Sequence, residues 1–334
     1  MPAASRVSAL KVVSFTGAGG NEVVHLEERP DPSHGSNEVL VDVTFAGLNP
    51  ADLQQREGRY PPPPGIVPDV PGLEVSGTVV AVGADVSARW SVGDRVFGLV
   101  AGGGLASKVA VHEGCVTRVP ERLSDEEAAA VPEVFITAHD ALTTQGSVRS
   151  GETVLVHGAS GAVGSAAVQI AGVLGARVLG VVRSEEAARA VTALGAEPVQ
   201  AADVTSTVSS LTEQRGVDVV LELVGASNLA GDLAVLASKG RIVVVSVASG
   251  TRTEIDLLQL MVRRATIRGT VLRARSIDEK ADAVARFANE VVPMLTDGRV
   301  RPAIDSVFDA DQVPAAFDRL ASRGKSGKVL LRFA

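Results

Sequence analysis

Between Thr153 and Ala176 the chain carries no charged side chain: Val154-Leu155-Val156-His157 runs into Gly158-Ala159-Ser160-Gly161-Ala162-Val163-Gly164 and then into an apolar stretch. Such a length, about 20 residues, is what a membrane span requires. Here, however, His157, Ser160, Ser165, Gln169 and five glycines interrupt it, and Glu152 and Arg177 bound it. It therefore reads as a buried strand, a tight turn and a helix. A strand that leaves through a helix toward the next strand builds a parallel sheet, and this constrains the fold more than any other feature.

The turn also carries chemistry. Gly161 lets a pyrophosphate approach the backbone, Gly164 lets the helix pack against the strand, and the N–H groups at the helix start, from Ser160 through Ala162 and Val163 to Gly164, favour an anion. Ala159 stands where the first glycine is usual, so a ligand-free strand-to-helix turn is the competing reading. The next strand, 177–182, ends at Arg183-Ser184. An NAD site places a carboxylate there for the ribose hydroxyls, so Arg183 and Ser184 point to NADPH and its 2′-phosphate. The alternative is that Arg183 pairs on the surface with Glu185 or Glu186.

Strands are expected at 153–157, 177–182, 197–200, 217–223, 241–247 and 266–271, with helices near 162–174, 185–194, 226–238 and 279–296. This alternation is the doubly wound pattern. Before it, short alternating runs such as Val39-Leu40-Val41-Asp42-Val43, broken by glycine and proline, predict a β-rich domain. Pro61–Pro64 mark an ordered loop. Ser124-Asp125-Glu126-Glu127 reads as a capping box opening a helix. After 273 the chain returns to short strands. The expected division is 1–125, 126–272 and 273–334, the last completing the first.

A length of 334 residues at roughly 150 per domain agrees with two domains. With 46% hydrophobic and 21% charged residues, disorder is excluded. A net charge of −7 disfavours nucleic acid as a partner. The lone Cys115 excludes an intrachain disulfide and fits a reducing compartment. Met1 to Lys11 lacks the apolar run of an export signal, so a cytoplasmic protein without membrane attachment is expected.

Ala46-Gly47-Leu48-Asn49-Pro50-Ala51-Asp52, Gly58-Arg59-Tyr60-Pro61, Pro71-Gly72-Leu73-Glu74, Val92-Gly93-Asp94-Arg95-Val96, the turn at His157–Gly161, Gly269-Thr270-Val271-Leu272-Arg273 and Gly327-Lys328-Val329 together resemble the zinc-independent medium-chain dehydrogenases/reductases. The resemblance is to the NADPH:quinone oxidoreductase family that includes zeta-crystallin, over nearly the whole chain. It implies an α/β protein, a β-rich GroES-like catalytic domain plus a doubly wound Rossmann domain, with substrate between them. Zinc-dependent relatives place a cysteine at Asn49 and a histidine at Leu73. The five histidines, at 25, 34, 112, 139 and 157, show no ligand spacing, so no metal is expected.

Without metal the expected direction is reduction, by nicotinamide hydride, of an acceptor that is already electron-poor. A quinone comes first, an enone or enoyl thioester second, and a non-catalytic NADPH-binding protein is the third reading. Tyr60, the only tyrosine, matches the family's active-site tyrosine as a proton donor, against simple packing beside the prolines. Asn49 matches the family's cleft asparagine, against a turn residue before Pro50. The resemblance further places Val224, Gly225, Val245, Ser246, Val271 and Leu272 at the coenzyme, with Ser326 and Lys328 closing over it. Ala187 and Ala201-Ala202-Asp203 depart from the family's phosphate pocket, and His139 replaces an aromatic, implying a more polar or wider substrate pocket. A homodimer through the sheet edge at 241–247 and 266–271 is expected.

Overall fold

The computed structural model describes residues 10–334. The stretch read for an export signal lies outside the described residues except for Leu10 and Lys11. In chain order the strands are β1 (Leu10–Phe15), β2 (Val24–Arg29), β3 (Glu38–Leu48), β4 (Glu74–Val82), β5 (Arg95–Leu99), β6 (Lys108–His112) and β7 (Val116–Arg118). There follow β8 (Thr153–Val156), β9 (Arg177–Val182), β10 (Glu197–Gln200), β11 (Val217–Glu222), β12 (Leu236–Val244) and β13 (Thr266–Gly269). Near the C-terminus come β14 (Ile304–Asp309) and β15 (Lys328–Arg332). The first helices are α1 (Pro50–Arg56), α2 (Asp125–Ala129), α3 (Pro132–His139), α4 (Ala162–Val173), α5 (Glu185–Ala193) and α6 (Val204–Leu211). The rest are α7 (Leu229–Val235), α8 (Leu257–Arg263), α9 (Ile277–Glu290), α10 (Val292–Thr296) and α11 (Val313–Ala321).

Two units result: one up to Glu133 with 273–285 and 304–334, the other 134–272 with 286–303. In the first, the sheet order is β14-β15-β3-β4-β5-β7, with β6 also on β3 and a separate β1-β2 pair. Val39, Val41 and Val43 of β3 are buried while Asp42 between them is exposed, the alternation of a strand with one covered face. Ser124 accepts from the Glu127 N–H and Glu127 from the Ser124 N–H, so the capping box is present. The helix it opens, α2, packs on β3, β4 and β5; the sequence division at 125/126 falls within it, after its first residue.

In the second unit all six strands are parallel in the order β10-β9-β8-β11-β12-β13. Numbered within this unit, that is the doubly wound order 3-2-1-4-5-6, whose ligands lie beyond the carboxyl ends of the strands. Val154, Leu155 and Val156 are all fully buried, because helices cover both sheet faces and no alternation is needed. The uncharged stretch 153–176 is thus strand, turn and helix, and among the described residues no helix is long and apolar enough to cross a membrane.

Several element limits differ from expectation. The helix expected over 226–238 covers only Leu229–Val235, because the chain enters β12 at Leu236, where Lys239 takes a left-handed φ of 64° beside a register irregularity. That strand ends at Val244 rather than 247, and β13 at Gly269 rather than 271. The helix expected over 279–296 is two, α9 and α10, with Pro293 in the first turn of the second, where a missing N–H is tolerated. Helices α6 and α8 carry no expectation at all: Val204-Thr205-Ser206-Thr207-Val208 is poor in helix formers, and α8 buries none of its residues.

Candidate functional site

In the second unit, β8 ends at Val156, Gly158 adopts φ of 60°, and Gly161 caps α4 with no side chain bound to the first-turn N–H groups. A Cβ on Gly164 would overlap the Gly158 carbonyl oxygen and lie 2.8 Å from the Ala159 Cα. The helix therefore approaches the turn as closely as glycine permits. Ala159, in place of the usual glycine, is fully buried. Its methyl fits because β9 carries Gly180 opposite, where a Cβ would come within 3.0 Å of it. A glycine inside a strand was the signal for this close approach.

Arg183 follows β9, exposed and without an ion-pair partner among the described residues, so the surface pair with Glu185 or Glu186 does not form. The Ser184 hydroxyl caps α5 by accepting from the Ala187 N–H at 3.2 Å. Beyond β11, the N–H groups of Val224 and Gly225 both donate to Glu222 Oε1, at 2.5 and 2.6 Å. Gly225, at φ of 119°, passes so near Val247 that a Cβ would sit 2.8 Å from its Cα. Val245 donates to the Glu222 carbonyl and the Ser246 hydroxyl accepts from Ala248. Val271 is half exposed and Leu272 buried. All of these belong to the second unit and follow the carboxyl ends of its strands; Asn49, Tyr60 and Lys328 belong to the first.

The first unit gathers its own buried polar cluster. Glu74, fully buried at the start of β4, accepts from Asn49 Nδ2 at 2.9 Å, from the Glu133 N–H at 2.8 Å and from the Lys328 ammonium. That ammonium, only 3% exposed, also donates to Asn49 Oδ1 at 2.7 Å and to the Leu48 carbonyl at 2.9 Å. Asp52 accepts from the Asn49 and Gly72 N–H groups. Burial raises its carboxyl to about 6 against those two bonds. Burial, then the Glu74 charge, raise the Glu133 carboxyl to about 8.

Tyr60 lies under the Arg273 guanidinium, 5.0 Å from the ring centroid. Burial raises its phenol above the ordinary value, Arg273 opposing, and its hydroxyl makes no hydrogen bond among the described residues. Arg273 is held by Gln55 Oε1 and the Ala101 and Tyr60 carbonyls.

Lys328, expected with Ser326 to close over the coenzyme, is a buried strand residue holding Asn49; Ser326 is exposed, its N–H on Asp305. His139 is buried with Nε2 2.8 Å from Glu290. Glu74, Glu133 and Arg273 carried no expectation. Asp52, three residues after Asn49, is a capping-box spacing that could have signalled its bond to the Asn49 N–H. A second buried cluster, His157 with Glu222 and Asp232, joins residues too distant in sequence to show ligand spacing.

A GroES-like β unit with a parallel six-stranded sheet and its glycine turn defines a medium-chain dehydrogenase/reductase. The model of the alcohol dehydrogenase GroES-like domain matches residues 35–121, and that of the zinc-binding dehydrogenase matches 162–290. A pig (Sus scrofa) quinone oxidoreductase is 34% identical over 331 residues, covering 97% of each chain. Among solved structures, a quinone oxidoreductase of Pseudomonas syringae superposes with a TM-score of 0.87 at 30% identity, over 97% of this chain and 100% of that one. A mycobacterial protein complexed with NADPH superposes with 0.86 at 29% identity and the same coverage. The chain belongs to the quinone oxidoreductase family of the medium-chain dehydrogenases/reductases, nicotinamide-dependent oxidoreductases.

The zinc named by one family model does not fit at Asn49. That side chain is an amide whose oxygen accepts from an ammonium and whose nitrogen donates to Glu74, and the histidine position is a buried leucine, Leu73. A dinucleotide does fit the turn of the second unit, where the first N–H groups of α4 lack a side-chain cap and Gly161 leaves the backbone open.

Proposed function

We propose that the protein reduces quinones with NADPH and that no metal takes part in the hydride transfer. One observation carries this: the Lys328 ammonium and Glu74 occupy both ends of the Asn49 amide. No Lewis acid is thereby offered to polarise an alcohol, and an acceptor that is already electron-poor is required. The name of the pig relative and the NADPH complex of the mycobacterial neighbour support the reading.

Bound NADPH supplies the hydride from its nicotinamide. The α4 N–H groups at Ala162, Val163 and Gly164, with Ser160 and Gly161, hold the pyrophosphate. Arg183 pairs with the 2′-phosphate, while Ser184 fixes the start of α5. Val224, Gly225, Val245, Ser246, Val271 and Leu272 line the path of the coenzyme beyond the strand ends. Tyr60, a phenol protonated at neutral pH whose pKa burial raises further, faces the acceptor, and its proton is required only by an enone, whose enolate needs a nearby acid. Asn49, immobilised by Lys328 and Glu74, offers the remaining lone pair of its oxygen to a nicotinamide ribose hydroxyl.

Arg183→Ala is expected to raise the Kd for NADPH by about 10- to 100-fold, a charge-assisted bond of about 1.5–3 kcal/mol, and to leave NADH nearly unchanged. Fluorescence titration with both coenzymes checks this; equal weakening of the two would remove Arg183 from the phosphate site. Tyr60→Phe separates the acceptor classes in steady-state assays. A quinone, whose hydroquinone anion takes its proton from water, should be reduced at nearly the parent rate, whereas an enone should lose about 10²–10⁴. Failure of any quinone to oxidise NADPH in the parent protein would overturn the reading.

Assembly as a homodimer is part of the same proposal. Strand β13 is a sheet edge, and nearby in sequence α8 exposes Leu257, Leu258, Met261 and Val262, each 63–71% accessible. A monomer mass in light scattering would remove it. A reducing cytoplasm suits Cys115, buried as a thiol whose pKa burial raises to about 11.

A further inference from the structure

We propose that His157, Glu222 and Asp232 form a site for one divalent zinc-class ion in the second unit. Each offers one ligand atom, all within 4.8 Å of one another and all buried. His157 Nε2 lies 2.6 Å from Asp232 Oδ1 and 3.7 Å from Glu222 Oε2. Zinc bonds to nitrogen and oxygen are about 2.0–2.2 Å, so ligands of one ion stand at most about 4.3 Å apart. Shifts below an ångström or so bring the three around a common centre.

A second observation points to an occupant. Asp232, only 1% exposed, leaves Oδ2 buried with no hydrogen-bond partner, and such an orphaned carboxylate oxygen calls for an ion or water. The same side chain and His157 line a cavity of about 500 Å³ with Asp203, Ser206, Ser209 and Asn228, room for water ligands to complete the coordination. Charge favours a dication as well. Two carboxylates and a neutral imidazole cancel it, whereas a proton on the imidazole leaves the buried cluster at −1. Imidazole with carboxylates and no thiolate selects zinc-class ions over soft or purely oxygen-bound ones.

The surroundings are compatible. The ion replaces the proton between Nε2 and Oδ1, which passes to water. The Asn228 amide lies 3.2 Å from His157 Nδ1. Its Nδ2 also donates to Glu222 Oε2 at 3.1 Å; once Oε2 goes to the ion that bond is given up, and the amide turns its oxygen to the ring and accepts the Nδ1–H as the outer partner of a metal-bound imidazole. Glu222 binds through Oε2 while Oε1 keeps the Val224 and Gly225 N–H groups, so the ion ties the ends of β8 and β11 to α7 without releasing that loop.

The test is equilibrium dialysis of the untagged full-length protein against Zn²⁺, with no coenzyme or acceptor present, so that its failure leaves the reductase reading untouched. One ion per chain is expected. Asp232→Asn and His157→Gln should each weaken binding at least about tenfold, while Cys115→Ser leaves it unchanged. Should a variant fail to fold, the parent protein loaded with Co²⁺ decides: ligand-field bands without a thiolate charge-transfer band support the site. Absence of saturable binding, undiminished binding in both variants, or a thiolate band overturns it.

Discussion

Gly164→Ala is expected to abolish detectable coenzyme binding and to lower the unfolding free energy by about 1–3 kcal/mol. The added methyl would overlap the Gly158 carbonyl oxygen and sit 2.8 and 2.9 Å from the Ala159 Cα and carbonyl carbon. None of these is the flexible end of a side chain, so α4 must move away from the turn. Its uncapped first-turn N–H groups then no longer converge on one anion. Gly172→Ala, in the same helix with nothing within 4 Å of the added Cβ, is the control and should melt at or above the parent temperature. Thermal melts and NADPH fluorescence titration read both effects; a Gly164→Ala protein that binds NADPH normally would remove the turn from the coenzyme site.

The second large effect is at Lys328. Lys328→Met keeps the stem and deletes the ammonium, leaving Glu74 buried beside an Asn49 amide that has lost its donor. Breaking a buried ion pair on one side costs about 3–5 kcal/mol. Pairing the change with Glu74→Gln removes the stranded charge, so the double variant should recover a large part of that loss, while its Asn49 amide is no longer clamped. Urea unfolding of the two single variants and the double one gives the coupling energy. Additive losses would show that the ammonium and the carboxylate do not act as a pair.

How much was legible from the chain varies with the range of the interaction. The turn from Val156 to Gly164, the run of alternating strands and helices after it, and the Ser124–Glu127 capping box are written in adjacent residues, and the structure contains all three. Arg183 at the end of β9 was legible for the same reason, although whether it was free or paired with a neighbouring glutamate was not. Helix α8 escaped because its apolar residues do not form one buried stripe: Leu260 packs on the core while Leu257, Leu258, Met261 and Val262 are exposed. Strand β12 began early because its bulge against β11 is a sheet-level event.

Lys328 marks the boundary most clearly. From sequence it stood in a glycine-flanked tail able to close over a ligand, yet pairing of β15 with β3 carries it to Leu48 and Asn49, some 280 positions away. The same holds for His157, Glu222 and Asp232. By itself the sequence determined the two folding patterns, the glycine turn between strand and helix and the family, since these rest on local periodicity, backbone conformational limits and short motifs. Only the tertiary structure decided which charges are buried together, because the partner that makes a buried charge tolerable is supplied by chain closure, which no spacing along the sequence records.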